Sequence, residues 1–279
     1  MSTTSVTLSR RARLPIFVGL CLIALTIIYP VVYLALAAFR TKADYLTDPF
    51  GLPHEWTLQN FIVLWNNYDL GRALLNSVSV VTVGLILQLS IAIIAAYALA
   101  RLHVPGARAI NATFVSVMLV PSQVLIIPIY LLLSRLGLVG SLPGLILVYV
   151  APVLPIAVFF MTASFAGLDN NVLEAARVDG AGFWRTLFSV ASPLAAPGIA
   201  TLAVLQFLGM WNELLFAYIL LPDNNLRLLT PALAQIGGRF TSDQPLVSAG
   251  LIVTALFPML LLAFASKYVM SGLAASFGR

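Results

Sequence analysis

Charged residues are scarce in this sequence. They make up 9% of its 279 residues, whereas hydrophobic residues make up 61%. Soluble domains contain about 25% charged and about 45–50% apolar residues. An aqueous core does not need so much apolar surface. We therefore expect a single-domain integral membrane protein in which several apolar helices of about 20 residues account for most of the chain.

Residues that form disulfides or bind metals are also few. Cys21 is the only cysteine, which excludes an intrachain disulfide and a cysteine-based metal cluster. The two histidines, His54 and His103, lie in separate loops that the topology below places on opposite sides of the membrane. We therefore expect neither a metal site nor the clustered acids and bases of an enzyme.

Nucleotide-binding and nucleic-acid-binding signatures are missing as well. The sequence has no Gly-rich Walker loop of the form GxxxxGK[ST], whose backbone N–H groups bind nucleotide phosphates, so we expect no cofactor in this chain. The net charge of +5 is typical of topology control by lysine and arginine in a membrane protein. We do not interpret it as nucleic-acid binding.

Six apolar runs are long enough to cross a bilayer, and they predict an all-α membrane protein with six transmembrane helices. The predicted spans are approximately 14–39, 74–100, 109–134, 142–166, 187–212 and 244–266. The run that contains the fourth span is too long for one crossing. We expect its first residues to form a turn and its helix to begin near Leu142.

Prolines lie inside two of these spans. Pro121 and Pro128 occur in the third span, and Pro152 and Pro155 in the fourth. Proline has no N–H to donate, so these residues are expected to bend their helices.

Lysine and arginine are distributed unevenly between the two sides. Nine lie inside and six outside when the N-terminus is cytoplasmic, which favours both termini in the cytoplasm. The inner set is Arg10, Arg11, Arg13, Arg101, Arg108, Arg177, Arg185, Lys267 and Arg279, and the outer set is Arg40, Lys42, Arg72, Arg135, Arg227 and Arg239.

The first run is longer than the apolar region of a signal peptide, about 7–15 residues, so we interpret it as a retained helix. In the long outer segment, the aromatic-containing run from Trp56 to Trp65 is typical of a helix lying on the membrane surface.

The loop between the fourth and fifth spans carries a distinctive pattern. Asn171, followed three residues later by Glu174, predicts a helix start with reciprocal capping, and Gly180 predicts the end of that helix. Small residues in this helix form a low surface on which another protein can approach closely. In an alternative interpretation Glu174 only caps the helix and the small residues only pack, but this leaves the nearby Phe183 and Trp184 unexplained.

The order Glu174-Ala175-Ala176, then Gly180, then Pro193 thirteen residues later resembles the EAA motif of ABC-importer permeases. Ser192 stands where that family prefers leucine before the proline. The likeness covers nearly the whole chain and points to the carbohydrate branch, the maltose-type second membrane subunit. It includes Asn60-Phe61, Leu64-Trp65, Asn76-Ser77, Ala96-Tyr97-Ala98, Ala100-Arg101, Pro121, Trp211-Asn212-Glu213, Lys267-Tyr268 and Gly272.

This resemblance implies a permease of the cell inner membrane that translocates a carbohydrate. The implied partners are a second homologous permease in a heterodimer, two ATP-binding-cassette subunits that bind the ATP and Mg, and an extracytoplasmic solute-binding protein. It also implies a short coupling helix in the cytoplasmic loop between spans four and five. The residues implied in this ATPase-coupling loop are Glu174, Ala175, Ala176, Asp179, Gly180 and Pro193.

Polar residues in or beside the apolar runs are candidates for a solute pathway, because such groups are costly in hydrocarbon and usually face a cavity or a partner. They are Trp211, Asn212, Glu213, Gln88 and Gln123, together with Asn76 and Gln206. Aromatic faces and amides suit a sugar. In the alternative interpretation, Trp211 is an interfacial anchor, Glu213 contacts the partner subunit, and the amides link helices.

Two other transport functions remain open from the residues alone. An ion-coupled secondary transporter needs intramembrane carboxylates and usually repeated halves, but only Glu213 qualifies and no repeat is visible. An ABC permease for a phosphorylated polyol, an amine or a peptide is the nearer alternative. The lack of arginines inside the spans and the scarcity of acids favour a neutral solute.

Overall fold

The computed structural model describes residues 10–102, 104–237 and 243–277, so His103, Arg239 and Arg279 lie outside the described residues. Every regular element in these ranges is helical, which confirms the all-α prediction. The α-helices are α1 (Arg10–Ala38), α2 (Lys42–Thr47), α3 (Gln59–Asn67), α4 (Leu70–Arg101), α5 (Ala107–Met118), α6 (Ile126–Arg135), α7 (Leu142–Val150), α8 (Leu154–Ala166), α9 (Asn170–Val178), α10 (Phe183–Thr186), α11 (Ser192–Leu194), α12 (Ala196–Trp211), α13 (Leu215–Leu220), α14 (Leu229–Gly237) and α15 (Gln244–Phe277).

Three of the described helices are long and apolar enough to cross a bilayer by themselves, over Leu14–Ala38, Leu70–Arg101 and Gln244–Ala265. Three further candidates are bent pairs of helices. They are Ala107–Met118 with Ser122–Arg135, bent by 84°, Leu142–Val150 with Leu154–Ala166, bent by 47°, and Phe183–Leu194 with Ala196–Trp211, bent by 78°. Length and composition therefore allow three spans, or up to six when each bent pair crosses once.

Proline positions account for the breaks. Pro121 stands between α5 and the 3-10 turn Ser122–Leu125, and Pro152 stands between α7 and α8, as the sequence predicted. Pro128 and Pro155 instead lie in the first turns of α6 and α8, where a helix needs no intrahelical donor, so they do not interrupt their helices.

The break in the third pair, at Ala195, was not predicted. It lies between Pro193 and Pro197, and a π-helical turn, Leu187–Ala191, comes before it. Pro193 has no N–H for the preceding turn of helix, and a π-turn is a common response to such a disturbance of the hydrogen-bond ladder.

The described residues fall into two compact units, those within 10–68 and 235–253, and those within 69–234 and 254–277. The second unit has a core in which α4 packs on α8 through small residues. Ala92 and Ala96 of α4 are fully buried beside Tyr97, and they belong to one cluster with Met161 and Phe165 of α8. Small side chains allow such close approach between membrane helices.

The first unit is organised around a buried arginine. Arg40 is 1% exposed, and its guanidinium donates to Asp44 Oδ2 at 2.7 Å and to the Gly51 carbonyl at 2.9 Å. The Nδ1 atom of His54 lies 2.7 Å from the other carboxylate oxygen of Asp44. The hydrogen bond from Arg40, with a further contribution from His54, holds the pKa of the Asp44 carboxyl well below its usual value. This network folds the segment after α1 into an ordered turn.

The aromatic segment that follows leads into a helix, α3, that begins at Gln59. Trp56, Ile62 and Trp65 are all exposed on it or just before it. The amide of Asn60 is buried and donates to the carbonyls of Ala38 and Arg40, both at 2.8 Å. Aromatic side chains are thus presented outward from a well-anchored helix, which is compatible with the predicted position on a membrane surface.

The predicted orientation can be tested by thiol labelling in intact cells. In a Cys21→Ser background, we expect Glu55→Cys to react with a membrane-impermeant maleimide and Gly182→Cys to react only after the membrane is permeabilised. Both positions are exposed, so accessibility to solvent is not the difference between them. Labelling of Gly182→Cys in sealed cells would contradict the topology.

Candidate functional site

The loop that resembles the EAA motif contains a short helix, α9. Its N-terminal cap is Asp169, whose Oδ1 accepts from the N–H of Asn171 at 2.9 Å. The predicted cap at Asn171 is therefore wrong. The carboxylate one residue before the helix already satisfies that N–H, and the side chain of Glu174 is exposed in the middle of the helix. The predicted end is confirmed, because Gly180 follows the helix with a φ of 79°, in the left-handed region.

One residue of α9 anchors it to the rest of the unit. Leu173 is buried in a cluster with Tyr97, Phe165 and Leu187. The other residues predicted in this segment lie at the surface: Glu174, Ala175, Asp179 and Gly180 are exposed, Ala176 is half-buried, and Pro193 is exposed in α11. Nearly the whole helix is therefore open to a partner.

Arg101, at the end of α4, also holds this helix. Its Nε donates to the Phe165 carbonyl at 2.8 Å, and its Nη2 donates to the Leu168 carbonyl at 2.5 Å and the Ala166 carbonyl at 3.1 Å. Its Nη1 donates to the side-chain oxygen of Asn170, the first residue of α9. One guanidinium thus ties together the ends of α4 and α8 and the start of α9.

Sequence reasoning missed this role of Arg101. In the sequence, Arg101 counts among the inner basic residues and stands in a family-like dipeptide, although a basic side chain in the last turn of a helix is also suited to bind carbonyl oxygens. Its acceptors lie more than sixty residues further along the chain, so no local pattern identifies them.

An aromatic ladder follows α9. The ring of Phe183 contacts that of Tyr97 at 5.6 Å and that of Trp184 at 4.9 Å, and Trp184 stacks on Phe188 at 5.9 Å. Trp184 and Phe188 are more than half exposed. The ladder therefore runs from the core of the unit to an exposed apolar surface beside α9, and exposed patches of this kind often mark interaction sites.

The candidate pathway residues Trp211, Asn212 and Glu213 lie at the end of α12. Trp211 is only 4% exposed, and its ring stacks between Phe207 at 5.4 Å and Phe257 at 5.2 Å. Its indole N–H donates to the carbonyl of Thr254 in α15 at 3.1 Å. This carbonyl stands four residues before Pro258, which has no N–H to offer it. The indole N–H thus replaces the backbone donor that Pro258 lacks in this helix.

The carboxylate of Glu213 is also hydrogen-bonded to backbone groups. Its Oε1 accepts from the N–H of Phe216 at 3.0 Å, and its Oε2 accepts from the N–H of Ala217 at 3.1 Å. The buried hydroxyl of Tyr149, on α7, donates to the same Oε2 at 3.2 Å. The carboxylate therefore caps the start of α13 and ties it to α7. Asn212 is the exposed member of the trio, and its Nδ2 donates to the Leu208 carbonyl at 2.8 Å.

The remaining amides lie in different surroundings. Gln123 is exposed in the 3-10 turn at the break of the first bent pair, between α5 and α6. Asn76 donates to the carbonyls of Asn225 at 2.9 Å and Arg227 at 3.2 Å. Gln88 and Gln206 are buried in α4 and α12. The structure therefore brings residues 211–213 together but leaves Gln123 on a separate helix pair.

Comparison with known proteins identifies the family. The model of the family described as "Binding-protein-dependent transport system inner membrane component" matches residues 88–274, more than half of the chain. The chain belongs to this family. The match includes the α9 loop and residues 211–213, and it confirms the resemblance noted in the sequence. The protein is thus a membrane-embedded permease subunit of an ABC importer.

Named relatives agree with this assignment. The chain is 36% identical to the diacetylchitobiose uptake system permease protein NgcG of Streptomyces coelicolor, over 87% of this chain and 80% of that protein. It is 30% identical to the arabinooligosaccharides transport system permease protein AraQ of Halalkalibacterium halodurans, over 92% of each. Its fold matches a chain of a bacterial ABC transporter involved in the import of the acidic polysaccharide alginate, with a TM-score of 0.83, 22% identity, and coverage of 95% of this chain and 99% of that one.

The network around Arg101 generates a prediction. We expect Arg101→Ala to lower uptake by about tenfold or more, because hydrogen bonds from a charged donor contribute about 1.5–3 kcal/mol each and their loss releases the start of α9. Uptake and ATP hydrolysis should be measured together on the purified, reconstituted complex, so that the ratio of ATP consumed to solute imported can be compared.

The matched control is Arg101→Lys. A lysine keeps the charge but cannot reach four acceptors with one ammonium group, so an intermediate loss of uptake is expected. Uptake at the unmodified level in Arg101→Ala would show that the guanidinium is dispensable.

Proposed function

We propose that this permease subunit translocates a carbohydrate across the cytoplasmic membrane, with both termini in the cytoplasm and with ATP hydrolysis in separate partner subunits. The observation that carries the proposal is the α9 loop, a helix with one buried anchor and an otherwise largely exposed surface, inside the range that matches the family model.

The geometry of α9 suits a helix that is displaced when a partner subunit moves. Seven of its nine residues are exposed, among them the small Ala175 and the apolar Val178, so a partner can reach most of its surface. Its anchors, Leu173 and Arg101, connect it to α4 and α8. A displacement of α9 by an ATPase subunit would therefore be passed to the apolar helices that form the pathway.

The assembly we propose has four further chains. A second homologous permease completes a heterodimer, two ATP-binding-cassette subunits bind ATP and Mg, one of which docks on α9, and an extracytoplasmic solute-binding protein delivers the solute. The family's description as binding-protein-dependent supports the last of these.

A neutral saccharide is the proposed solute. The relatives named above are permeases for diacetylchitobiose and arabinooligosaccharides. In the candidate spans, arginines stand only near the ends, as Arg72, Arg101, Arg108, Arg135 and Arg185, which does not favour an anionic solute. Of residues 211–213, we propose that exposed Asn212 contacts the solute, and that Trp211 and Glu213 hold the junction of α12 and α13 in place. Gln123 and Gln88 remain candidates for the pathway.

The docking role of α9 can be tested with Ala175→Arg. This position is exposed and helical, so a long side chain fits without disturbing the core but obstructs a partner. We expect the complex to lose its ATP-dependent uptake, or to hydrolyse ATP without import, while the binding protein keeps its affinity for solute. Ala175→Ser, which stays small, is the control and should transport normally. Full uptake by Ala175→Arg would count against docking at this surface.

The solute class can be tested on the complex purified through a tag on this chain and reconstituted with its binding protein. We expect diacetylchitobiose or an arabinooligosaccharide to stimulate ATP hydrolysis and to be imported. Alginate oligosaccharides test the preference for neutral solutes. A dipeptide, an amine and a phosphorylated polyol test the non-sugar alternative. A complex that responds only to members of the last group would disprove the carbohydrate proposal.

A further inference from the structure

Gln88 lies near the middle of α4 and is completely buried, with 0% exposure. Neither its amide nitrogen nor its amide oxygen has a hydrogen-bond partner among the described residues. A buried amide without a partner is destabilising, and most such groups in folded proteins are paired with protein or with ordered water. An explanation is therefore needed for an amide at this position.

The neighbours of Gln88 along α4 show how unusual it is. Gly84, Ala92 and Ala96 share its face at four-residue spacing, and all three are buried. These small residues let other helices pack closely on α4. Gln88 is the one long polar side chain in this small-residue face, and its packing does not use its polar atoms.

A second buried amide stands at the corresponding position of α12, a helix that packs against α4. A Cβ added at Gly84 would lie 3.4 Å from the sulfur of Met210 in α12. Eight residues further along α4, Ala92 belongs to the same core cluster as Leu202 of α12, eight residues before Met210. The two helices therefore run in opposite directions, and the midpoint of each interval is a glutamine. Gln206 is buried, with 9% exposure, and lies four residues from Met210, as Gln88 lies four residues from Gly84.

We propose that Gln88 and Gln206 form a hydroxyl-binding layer of the solute pathway, which is closed in the conformation described here and opens when α4 and α12 move apart during transport. An amide offers one acceptor oxygen and two donor hydrogens. This combination matches a hydroxyl group, which both donates and accepts, and it carries no charge to hold an ion. The ligand is a hydroxyl, supplied either by water or by a saccharide. The inference rests on the proposed import function, and it names two residues that would contact the solute along its pathway.

A packing role and a pathway role differ in what the amide requires. An amide retained for packing would find its partners in the closed structure, whereas a pathway amide needs them only when the layer opens. The empty hydrogen-bonding capacity of Gln88 in the closed, fully buried state is the expected signature of the second role. The unpaired amide lowers the stability of the closed state, and a substitution that removes it should therefore raise that stability.

The first experiment replaces Gln88 by methionine, which is unbranched and similar in length but has no strong hydrogen-bonding group. We expect Gln88→Met to raise the melting temperature of the purified complex by about 2–4 °C, because a buried unpaired amide is removed. We also expect it to lower the rate of diacetylchitobiose uptake severalfold while the subunits still assemble.

Ser248→Ala is the matched control, since the hydroxyl of Ser248 in α15 is also fully buried and has no hydrogen-bond partner among the described residues. It should leave uptake unchanged. A Gln88→Met complex that is more stable and transports normally would overturn the proposal, because the amide would then be dispensable. A less stable complex would overturn it as well, by revealing a structural bond in the closed state.

The second experiment follows access to the layer. In a Cys21→Ser background, Gln88→Cys is treated with a positively charged methanethiosulfonate reagent in lipid nanodiscs, without nucleotide and then with ATP, vanadate and the binding protein. We expect Gln88→Cys to be labelled at least about tenfold faster in one of these states than in the other, because the layer is open in only one of them. A site that stays closed would be labelled at the same slow rate in both states. Ala92→Cys, one turn further along the same buried face, should stay unlabelled in both. No labelling of Gln88→Cys in either state, or equal labelling of Ala92→Cys, would disprove an opening layer.

Protection by solute identifies the source of the hydroxyl. Slower labelling with saturating diacetylchitobiose supports a saccharide in the layer, and unchanged labelling supports water there. If the complex imports no saccharide at all and Gln88→Cys still becomes accessible, the proposed solute class fails while the opening layer stands.

Discussion

Proline removes a backbone donor from a helix, and within a bilayer there is no water to replace it. Much of this structure follows from that constraint. Prolines stand at the breaks of all three bent helix pairs, and another lies inside α15. Several side-chain hydrogen bonds satisfy a backbone group near such a break or at a helix end. The indole of Trp211 donates to the carbonyl that precedes Pro258 by four residues, and the carboxylate of Glu213 accepts from the first N–H groups of α13.

This constraint changes how the polar residues near the membrane are interpreted. Trp211 and Glu213 stand out in the sequence because they are aromatic and acidic beside an apolar run, and such residues are reasonable candidates for solute contact. In the structure their hydrogen-bonding groups are engaged by other helices. Less conspicuous side chains among the described residues, such as exposed Asn212 and buried Gln88, keep hydrogen-bonding capacity. A polar side chain in a membrane helix must therefore be judged by its free atoms as well as by its type.

The sequence was sufficient for features that depend on local chemistry. The all-helical architecture, the breaks at Pro121 and Pro152, and the left-handed Gly180 after α9 follow from composition, from the missing N–H of proline and from the absence of a Cβ in glycine. The cap of α9 was predicted two residues too late, at Asn171, because Asp169 accepts from the N–H of Asn171 and the helix already begins at Asn170.

Features that depend on distant partners were not predictable in this way. The bond between Trp211 and Thr254 and the four bonds of Arg101 join segments that no spacing rule connects. The bend at Ala195 has prolines on both sides, but it also needs the π-helical turn before it, which depends on the packing of Leu187 and Ala191 against the core. These contacts become visible only when the helices are assembled.

The small number of contacts that hold α9 to the rest of the unit also has an evolutionary consequence. Most of its side chains contribute nothing to the core, and exchanges at exposed helical positions usually change the free energy of unfolding by no more than about 0.5 kcal/mol. Its surface can therefore vary almost freely without endangering the fold, as long as Leu173 and the acceptors of Arg101 are kept. A gene duplicate of this permease would be able to acquire a different motor subunit through a few changes on α9, while the helices around the pathway stay as they are.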